Sequence, residues 1–106
     1  MPKYLAHASY TVEGLKGLTK DGGTRRREAV EQLAKGVGGK VEAFYYAFGD
    51  DDLFVIFDLP DNVSATTMSL VVNASGAVNA KVTVLLTPEE IDQATKKSLD
   101  YIPPGQ

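Results

Sequence analysis

Apolar and polar residues alternate over four short stretches of the chain, and each stretch predicts a β-strand. Residues 4–12 alternate with the two-residue period of a strand. Residues 40–48 and 53–59 are rich in aromatic and β-branched side chains and are separated by Gly49 and three aspartates, so they predict a hairpin. Residues 77–86 predict the fourth strand.

Two stretches repeat apolar residues at the spacing of a helix. The first begins after Thr24, a residue type that caps helix N-termini, and ends at Gly38 and Gly39. Residues 12–23 contain four glycines and predict a connecting segment. The second helix covers residues 63–75, after an aspartate and an asparagine that can each cap it.

A third, short helix follows the last strand. Thr87 is its predicted cap, Pro88 occupies the first helical position, and Glu90 completes a capping box. The helical pattern fades near residue 97, so residues 98–106, which include two consecutive prolines, predict an extended tail.

The order strand, helix, strand, strand, helix, strand is that of a ferredoxin-like split βαββαβ sandwich. Right-handed crossovers place the strands in the order 4-1-3-2 in one antiparallel sheet, with both longer helices on one face. The predicted fold class is therefore α+β. A chain of 106 residues has room for one hydrophobic core, so residues 1–106 are expected to form a single domain.

The alternation assigns side chains to the two faces of this sheet. The helix-covered face receives a small and apolar set: Tyr4, Ala6, Ala8, Tyr10, Val41, Ala43, Tyr45, Ala47, Val55, Phe57, Ala80, Val82 and Val84. The other face, called here the open sheet face, receives a second set: Leu5, His7, Ser9, Thr11, Phe44, Tyr46, Phe48, Phe54, Ile56, Asp58, Lys81, Thr83 and Leu85. Monomers rarely leave so large an apolar patch in water, so we expect a second copy to cover it, sheet against sheet, and to enclose a cavity.

The helix predicted at residues 63–75 supports assembly independently. It carries two apolar stripes, Val63, Leu70, Val71 and Ala74 on one and Ala65, Met68 and Val72 on the other. One sheet face cannot bury both stripes. The alternative is that the outer stripe, the one with Val63, Leu70, Val71 and Ala74, packs against the preceding helix.

Composition and charge narrow the function classes. The chain has no cysteine and one histidine, so thiol catalysis, disulfides and zinc-thiolate sites are excluded, and we predict no metal site. The net charge is -3 and the only dense basic cluster is Arg25 to Arg27, which argues against nucleic-acid binding. No long apolar run predicts a membrane span or a secretory signal, so we expect a cytoplasmic protein.

His7 and Asp58 are the candidate catalytic residues. Histidine is the side chain whose charge changes most readily near neutral pH, so His7 is suited to proton transfer, and one imidazole is also enough for an axial haem ligand. Asp58 falls on the adjacent strand and the same face, where a carboxylate and imidazole can pair. The alternatives are a histidine bonded within a half-polar interface and a solvated acid at a strand end.

Four further polar side chains on the open sheet face are candidate ligand contacts: Tyr46, Lys81, Thr83 and Ser9. Hydroxyl and ammonium groups of this kind orient small polar or anionic ligands in apolar cavities. The alternative for each is a solvated residue at the rim. No cofactor can be assigned from the sequence. The three aspartates of the hairpin turn predict a solvated turn, because consecutive acids do not present ligands as a calcium loop does.

Several of these stretches together resemble the GYD domain family. They are residues 43–52 (AFYYAFGDDD), 55–61 (VIFDLPD) and 73–76 (NASG), with the opening residues 4–18 and the closing residues 85–90 and 103–106. The chain departs from the family in one place, since Gly49, Asp50 and Asp51 stand where the family has the Gly-Tyr-Asp triplet of its name. The resemblance implies a ferredoxin-like fold of the dimeric α/β barrel kind, and it implies no established activity.

Two hypotheses of function follow. In the first, the protein binds a small molecule in a cavity between the sheets of a homodimer, with acid/base or oxidative chemistry as further options. In the second, it is a non-catalytic module of the same fold that serves assembly or regulation through its dimer surfaces.

Overall fold

The computed structural model describes all 106 residues and contains one four-stranded antiparallel sheet. The strands are β1 (Lys3–Tyr10), β2 (Lys40–Tyr46), β3 (Leu53–Asp58) and β4 (Val78–Leu85), and their order across the sheet is β2-β3-β1-β4. This order is the predicted 4-1-3-2 arrangement read from the other edge. The α+β fold class is confirmed, and the architecture is consistent with a ferredoxin-like fold.

The helices are α1 (Val12–Asp21), α2 (Gly23–Gly36), α3 (Asn62–Ala74) and α4 (Pro88–Thr95). Asp61 caps α3 by accepting a hydrogen bond from the Ser64 amide at 2.8 Å. Thr87 and Glu90 form the predicted capping box of α4. The prediction that Thr24 caps the first long helix is wrong, because α2 starts at Gly23, two residues earlier than predicted, and its cap position is Gly22.

Helix α1 lies where the glycines predicted a connecting segment, and that prediction is wrong. Thr11 caps this helix by accepting a hydrogen bond from the Gly14 amide at 3.2 Å, so it lies beyond β1 rather than on the open sheet face. Gly14 is needed for packing, since a Cβ atom there would stand 1.9 Å from the carbonyl oxygen of Ala77. Glycine lowers helix propensity, and here it permits a close approach between a helix and the start of β4.

Strand β2 contains a β-bulge that changes which of its side chains face the helices. Val41 pairs with Phe57, but Ala43 pairs with Ile56, so Glu42 is one extra residue in the strand. Past the bulge Phe44 and Tyr46 point to the helix side, and Ala43 and Tyr45 belong to the open sheet face, which reverses the predicted assignment. The alternation did not reveal the bulge, because both sets of side chains are apolar or aromatic.

The core lies between the sheet and helices α2 and α3, on the predicted face. Its fully buried apolar side chains are Tyr4, Ala8, Ala34, Leu53, Val55, Phe57, Leu59, Ala65 and Met68. The outer stripe of α3 remains in solvent, with Val63 74% and Leu70 67% exposed, so it does not pack against the preceding helix as the alternative interpretation had it. No helix is long and apolar enough to cross a membrane.

Candidate functional site

The open sheet face is organised as three rows that cross the four strands. One end row is charged and consists of Lys40, Asp58, Lys3 and Leu85. The middle row is mostly apolar and consists of Ala43, Ile56, Leu5 and Thr83. The other end row combines aromatic and basic groups and consists of Tyr45, Phe54, His7 and Lys81, and we call it the aromatic row. Candidate chemistry is therefore concentrated at the two ends of the face.

His7 stands in the middle of the aromatic row. Its ring stacks on Phe54 with the centroids 6.5 Å apart and the planes at 19°. Its Nδ1 lies 3.3 Å from Oδ2 of Asp51, and both side chains are about one quarter exposed. A carboxylate only accepts hydrogen bonds, so Nδ1 is the donor of this pair, and in the neutral imidazole Nε2 is then the nitrogen that can accept a proton from a ligand.

Asp51 comes from the turn between β2 and β3, and the strand register explains its position. Ala8 on β1 pairs with Leu53 at the start of β3, which places the turn beside the end of β1. The amide of Asp52 donates to the Ala8 carbonyl at 2.8 Å, and the Asp52 carboxylate accepts from the Tyr10 amide at 2.9 Å. The turn is thus fixed to β1, so Asp50 is exposed to solvent as predicted, whereas Asp51 and Asp52 are partly buried and have partners on β1. An aspartate near His7 could have been predicted by combining the strand order with the register of the hairpin, because both bring the turn to the end of β1.

Asp58 shares the open sheet face with His7, but the two do not pair. The register sets Asp58 opposite Lys3 and His7 opposite Phe54, which separates them by four residues or about 13 Å along the sheet. Asp58 is buried, and Oδ1 lies 2.5 Å from Nζ of Lys3. This hydrogen bond lowers the pKa of Asp58 and raises the pKa of Lys3. The expected solvated acid is therefore an ion-paired residue at the charged end of the face.

Tyr46 lies on the helix side of the sheet and is removed from the face that carries His7. Its hydroxyl donates to the carbonyl of Gly23 at 2.9 Å, and its ring meets Phe44 edge-on at 5.2 Å. Burial raises its pKa, and burial also raises the pKa of the neighbouring Tyr10 to about 12. Both groups therefore stay protonated near neutral pH. Tyr45, 71% exposed, takes the position that the alternation gave to Tyr46.

The other candidate ligand contacts are on the open sheet face as predicted. Lys81 pairs with His7 across β1 and β4, and Thr83 pairs with Leu5 in the middle row. Both are exposed. The Ser9 hydroxyl donates to the Asp50 carbonyl at 3.3 Å, so it holds the turn that carries Asp51. Ser9 therefore contacts the turn that carries Asp51 and does not lie next to the middle row.

None of the four principal cavities of the single chain is lined by His7. A void of about 80 Å³ lies inside the core between the sheet and helices α2 and α3, and apolar side chains form nearly all of its wall. No group of three or more histidine, aspartate or glutamate side chains is arranged to hold a metal ion. A cavity around His7 requires a second surface above the open sheet face.

The strand order, the helices on one side and the open opposite face define an α+β protein consistent with the ferredoxin-like fold. The chain belongs to the GYD domain family, because residues 4–95 match the family model of the GYD domain. No curated protein and no solved structure matches the chain. The resemblance read from the sequence is thereby confirmed.

Proposed function

We propose that this GYD domain protein forms a homodimer through its open sheet faces and binds a small, flat anionic molecule at the aromatic row. The observation that carries the proposal is the composition of that row, in which two aromatic rings stand beside an imidazole and an ammonium group. Aromatic side chains supply flat apolar contact area, and cationic groups fix the orientation of an anion.

The exposed surface of the chain supports the dimer. Folded monomers of this mass expose about 5,800 Å², whereas this chain exposes 7608 Å², and only 11 of its 106 residues are buried. The excess, about 1,800 Å², is more than the roughly 800 Å² that one partner contributes to a standard protein interface. A second copy is the natural partner, because closed two-fold dimers are the commonest soluble oligomers.

Within such a cavity the His7 and Asp51 pair has the geometry for proton transfer. Asp51 holds the Nδ1 proton and directs Nε2 away from the turn, so Nε2 is the atom that would take a proton from a ligand. Lys81, one strand away, would hold the anionic group of that ligand. Asp58 has no part in this step, since its carboxylate is neutralised by Lys3.

The dimer is tested by the full-length variant Phe54→Glu. A carboxylate that replaces the Phe54 ring in the contact between the two sheets must be desolvated, so the dissociation constant measured by sedimentation equilibrium should rise at least tenfold. Gln32→Glu, which adds the same charge at an exposed position of helix α2, is the matched control and should leave the dissociation constant unchanged. Circular dichroism checks that both variants fold. Equal dissociation constants for the two folded variants would reject the sheet-to-sheet dimer.

The ligand site is tested with 1-anilinonaphthalene-8-sulfonate, a flat aromatic anion whose fluorescence reports binding. Lys81→Ala should weaken binding about tenfold, because a hydrogen bond to a charged group contributes roughly 1.5 to 3 kcal/mol. Lys20→Ala removes an exposed lysine from α1 and should not change the affinity. Equal weakening in both variants, or in neither, would contradict a site at the aromatic row.

The second candidate function is a non-catalytic assembly module of the same fold. The apolar surfaces that lie outside the open sheet face favour it, above all the exposed stripe of α3 with Val63, Leu70 and Val71. A module of this kind would form the dimer and bind no small anion. The dye titration therefore separates the two functions.

A further inference from the structure

Residues 86–106, which we call the arm, extend from the body of the protein with a row of unburied apolar side chains. Leu86, Ile91, Leu99, Tyr101 and Ile102 are between 47% and 92% exposed. Helix α4 lies within the arm and packs extensively against no other helix or strand. The radius of gyration is 17.1 Å and the longest dimension 58 Å, whereas a compact chain of this length has a radius of about 13 Å.

Helix α4 forms although it packs extensively against no other helix or strand. It has 8 residues, a proline in its first turn and both hydrogen bonds of a capping box. Isolated helices shorter than about 12 residues are marginal in water, and most helices in proteins are stabilised by packing of an apolar face. A capped helix with a bare apolar side chain, Ile91, therefore indicates a contact with a surface that the single chain lacks.

The body has a groove of mixed polar and apolar lining on its helix side. The groove holds about 380 Å³ between α3 and the second half of β4, and it is lined by Tyr4, Asn62, Ala65, Thr66, Ser69, Val82 and Val84. Val84 is 54% exposed although it points to the same side as the core. Val63 and Leu70 lie three and four residues from Thr66 and so extend the apolar surface along one side of α3.

We infer that the arm of one copy lies in the groove of a second copy, so that two chains exchange arms. This inference extends the proposed homodimer by an interface separate from the open sheet face. The exposed excess of about 1,800 Å² is roughly twice one partner's share of a standard interface, which leaves room for a second contact beside the sheets. No residue of the arm lines the groove of its own chain, so the groove is open to the arm of a second copy.

The cysteine-free chain permits a direct test by crosslinking. Val84→Cys in the groove is combined in one chain with Ile91→Cys, Leu99→Cys or Tyr101→Cys in the arm, and each variant is oxidised under native conditions. Arm exchange predicts that at least one pair gives a covalent dimer on a non-reducing gel in high yield. The matched control combines Gln32→Cys on α2 with the same arm positions and should give little dimer. A disulfide within one chain, or no disulfide with Val84→Cys, would overturn the exchange.

A second measurement separates this inference from the proposed function. The full-length double variant Leu99→Asp/Tyr101→Asp should raise the dimer dissociation constant at least tenfold, and it should still fold, because these side chains are 92% and 74% exposed in the single chain. Gln93→Asp/Ser98→Asp adds the same charge at exposed polar positions of the arm and is the control. If Phe54→Glu dissociates the dimer and the arm variant does not, the exchange is wrong and the sheet-to-sheet dimer stands. The reverse result rejects the sheet-to-sheet dimer and supports the arm contact.

Discussion

Single residues in this protein take roles that their type alone does not reveal. Gly14 is read as a helix breaker, yet it lies in the first turn of α1 where only a residue without a Cβ atom fits against Ala77. Asp51 is read as a solvated turn residue, yet it bonds to His7. The sequence predicts the side-chain chemistry available, whereas the partner of each group depends on strand register, which local patterns do not determine.

The first prediction concerns Gly14. Replacement by alanine sets a Cβ atom against the Ala77 carbonyl, which cannot easily move because it accepts a hydrogen bond from the Thr11 amide at 3.0 Å. Gly14→Ala should lower the free energy of unfolding in urea by more than about 2 kcal/mol, the usual range for overpacking. Gly17→Ala in the same helix has no atom within 4 Å of its Cβ and should stabilise the protein by up to about 1 kcal/mol. Equal effects of the two substitutions would show that the close approach at Gly14 is not maintained.

The second prediction concerns pH and the Lys3 and Asp58 pair. The pKa of Asp58 is lowered in the folded protein, so this group contributes stability above its unfolded pKa of about 4, and the contribution is lost as the pH falls through the lower folded value. Lys3→Met should reduce the free energy of unfolding at pH 7 but only slightly at pH 2.5, so the two unfolding curves should converge in acid.

Lys16→Met is the control for the pH experiment, because Lys16 forms only an exposed pair with Glu13 at 4.0 Å. Such pairs contribute little to stability. The control should show no convergence. A Lys3→Met effect of equal size at both pH values would mean that the variant acts by packing and not by charge.

At the scale of elements, the sequence predicts the four strands, their order and three of the four helices. The two differences have one physical origin. Helix α1 and the bulge at Glu42 both lie where segments distant in sequence meet: Gly14 stands against Ala77, and Glu42 forms an ion pair with Lys3 at 2.9 Å. Hydrophobic periodicity reports local preference, and local preference gives way where a tertiary contact requires another geometry.

The third prediction tests whether helix α4 forms independently of the rest of the protein. Thr87→Ala removes the capping hydrogen bond to the Glu90 amide, an interaction that contributes about 1 kcal/mol to a helix. Hydrogen exchange should accelerate about fivefold at the amides of α4 and stay unchanged at those of β1. Glu89→Gln, in the same turn but outside the capping box, is the control. Faster exchange across β1 as well would show that α4 is coupled to the core.

At the scale of the whole molecule, the single chain leaves large apolar side chains in solvent on several separate surfaces. The open sheet face, the outer stripe of α3 and the arm are three separate surfaces that one chain leaves in solvent. The sequence predicted the first two as assembly surfaces from their composition. It did not predict the groove beside β4, because the width of that groove depends on how far α3 covers the strand.

The fourth prediction follows from assembly of this kind. When folding and association are coupled, a tenfold increase in protein concentration stabilises the assembly by about 1.4 kcal/mol. The midpoint of thermal unfolding should then rise by about 3 to 6 °C per tenfold increase, as for a folding unit of roughly 200 residues. Calorimetry at 10 and 100 μM measures this shift. A midpoint independent of concentration would indicate that the single chain is the folding unit.

The bulge at Glu42 also decides which changes of length the chain can accept. Phe44 and Tyr46 lie under the helices and Tyr45 lies on the opposite side only because β2 holds one residue more than its partner. Deleting or inserting one residue within β2 would therefore move the side chains that now face the helices to the open sheet face, and the reverse. A change of length at the exposed tip of the following turn, at Gly49, would not have this effect. We expect natural variants of this protein to vary in length at the turn and to keep the length of β2 constant.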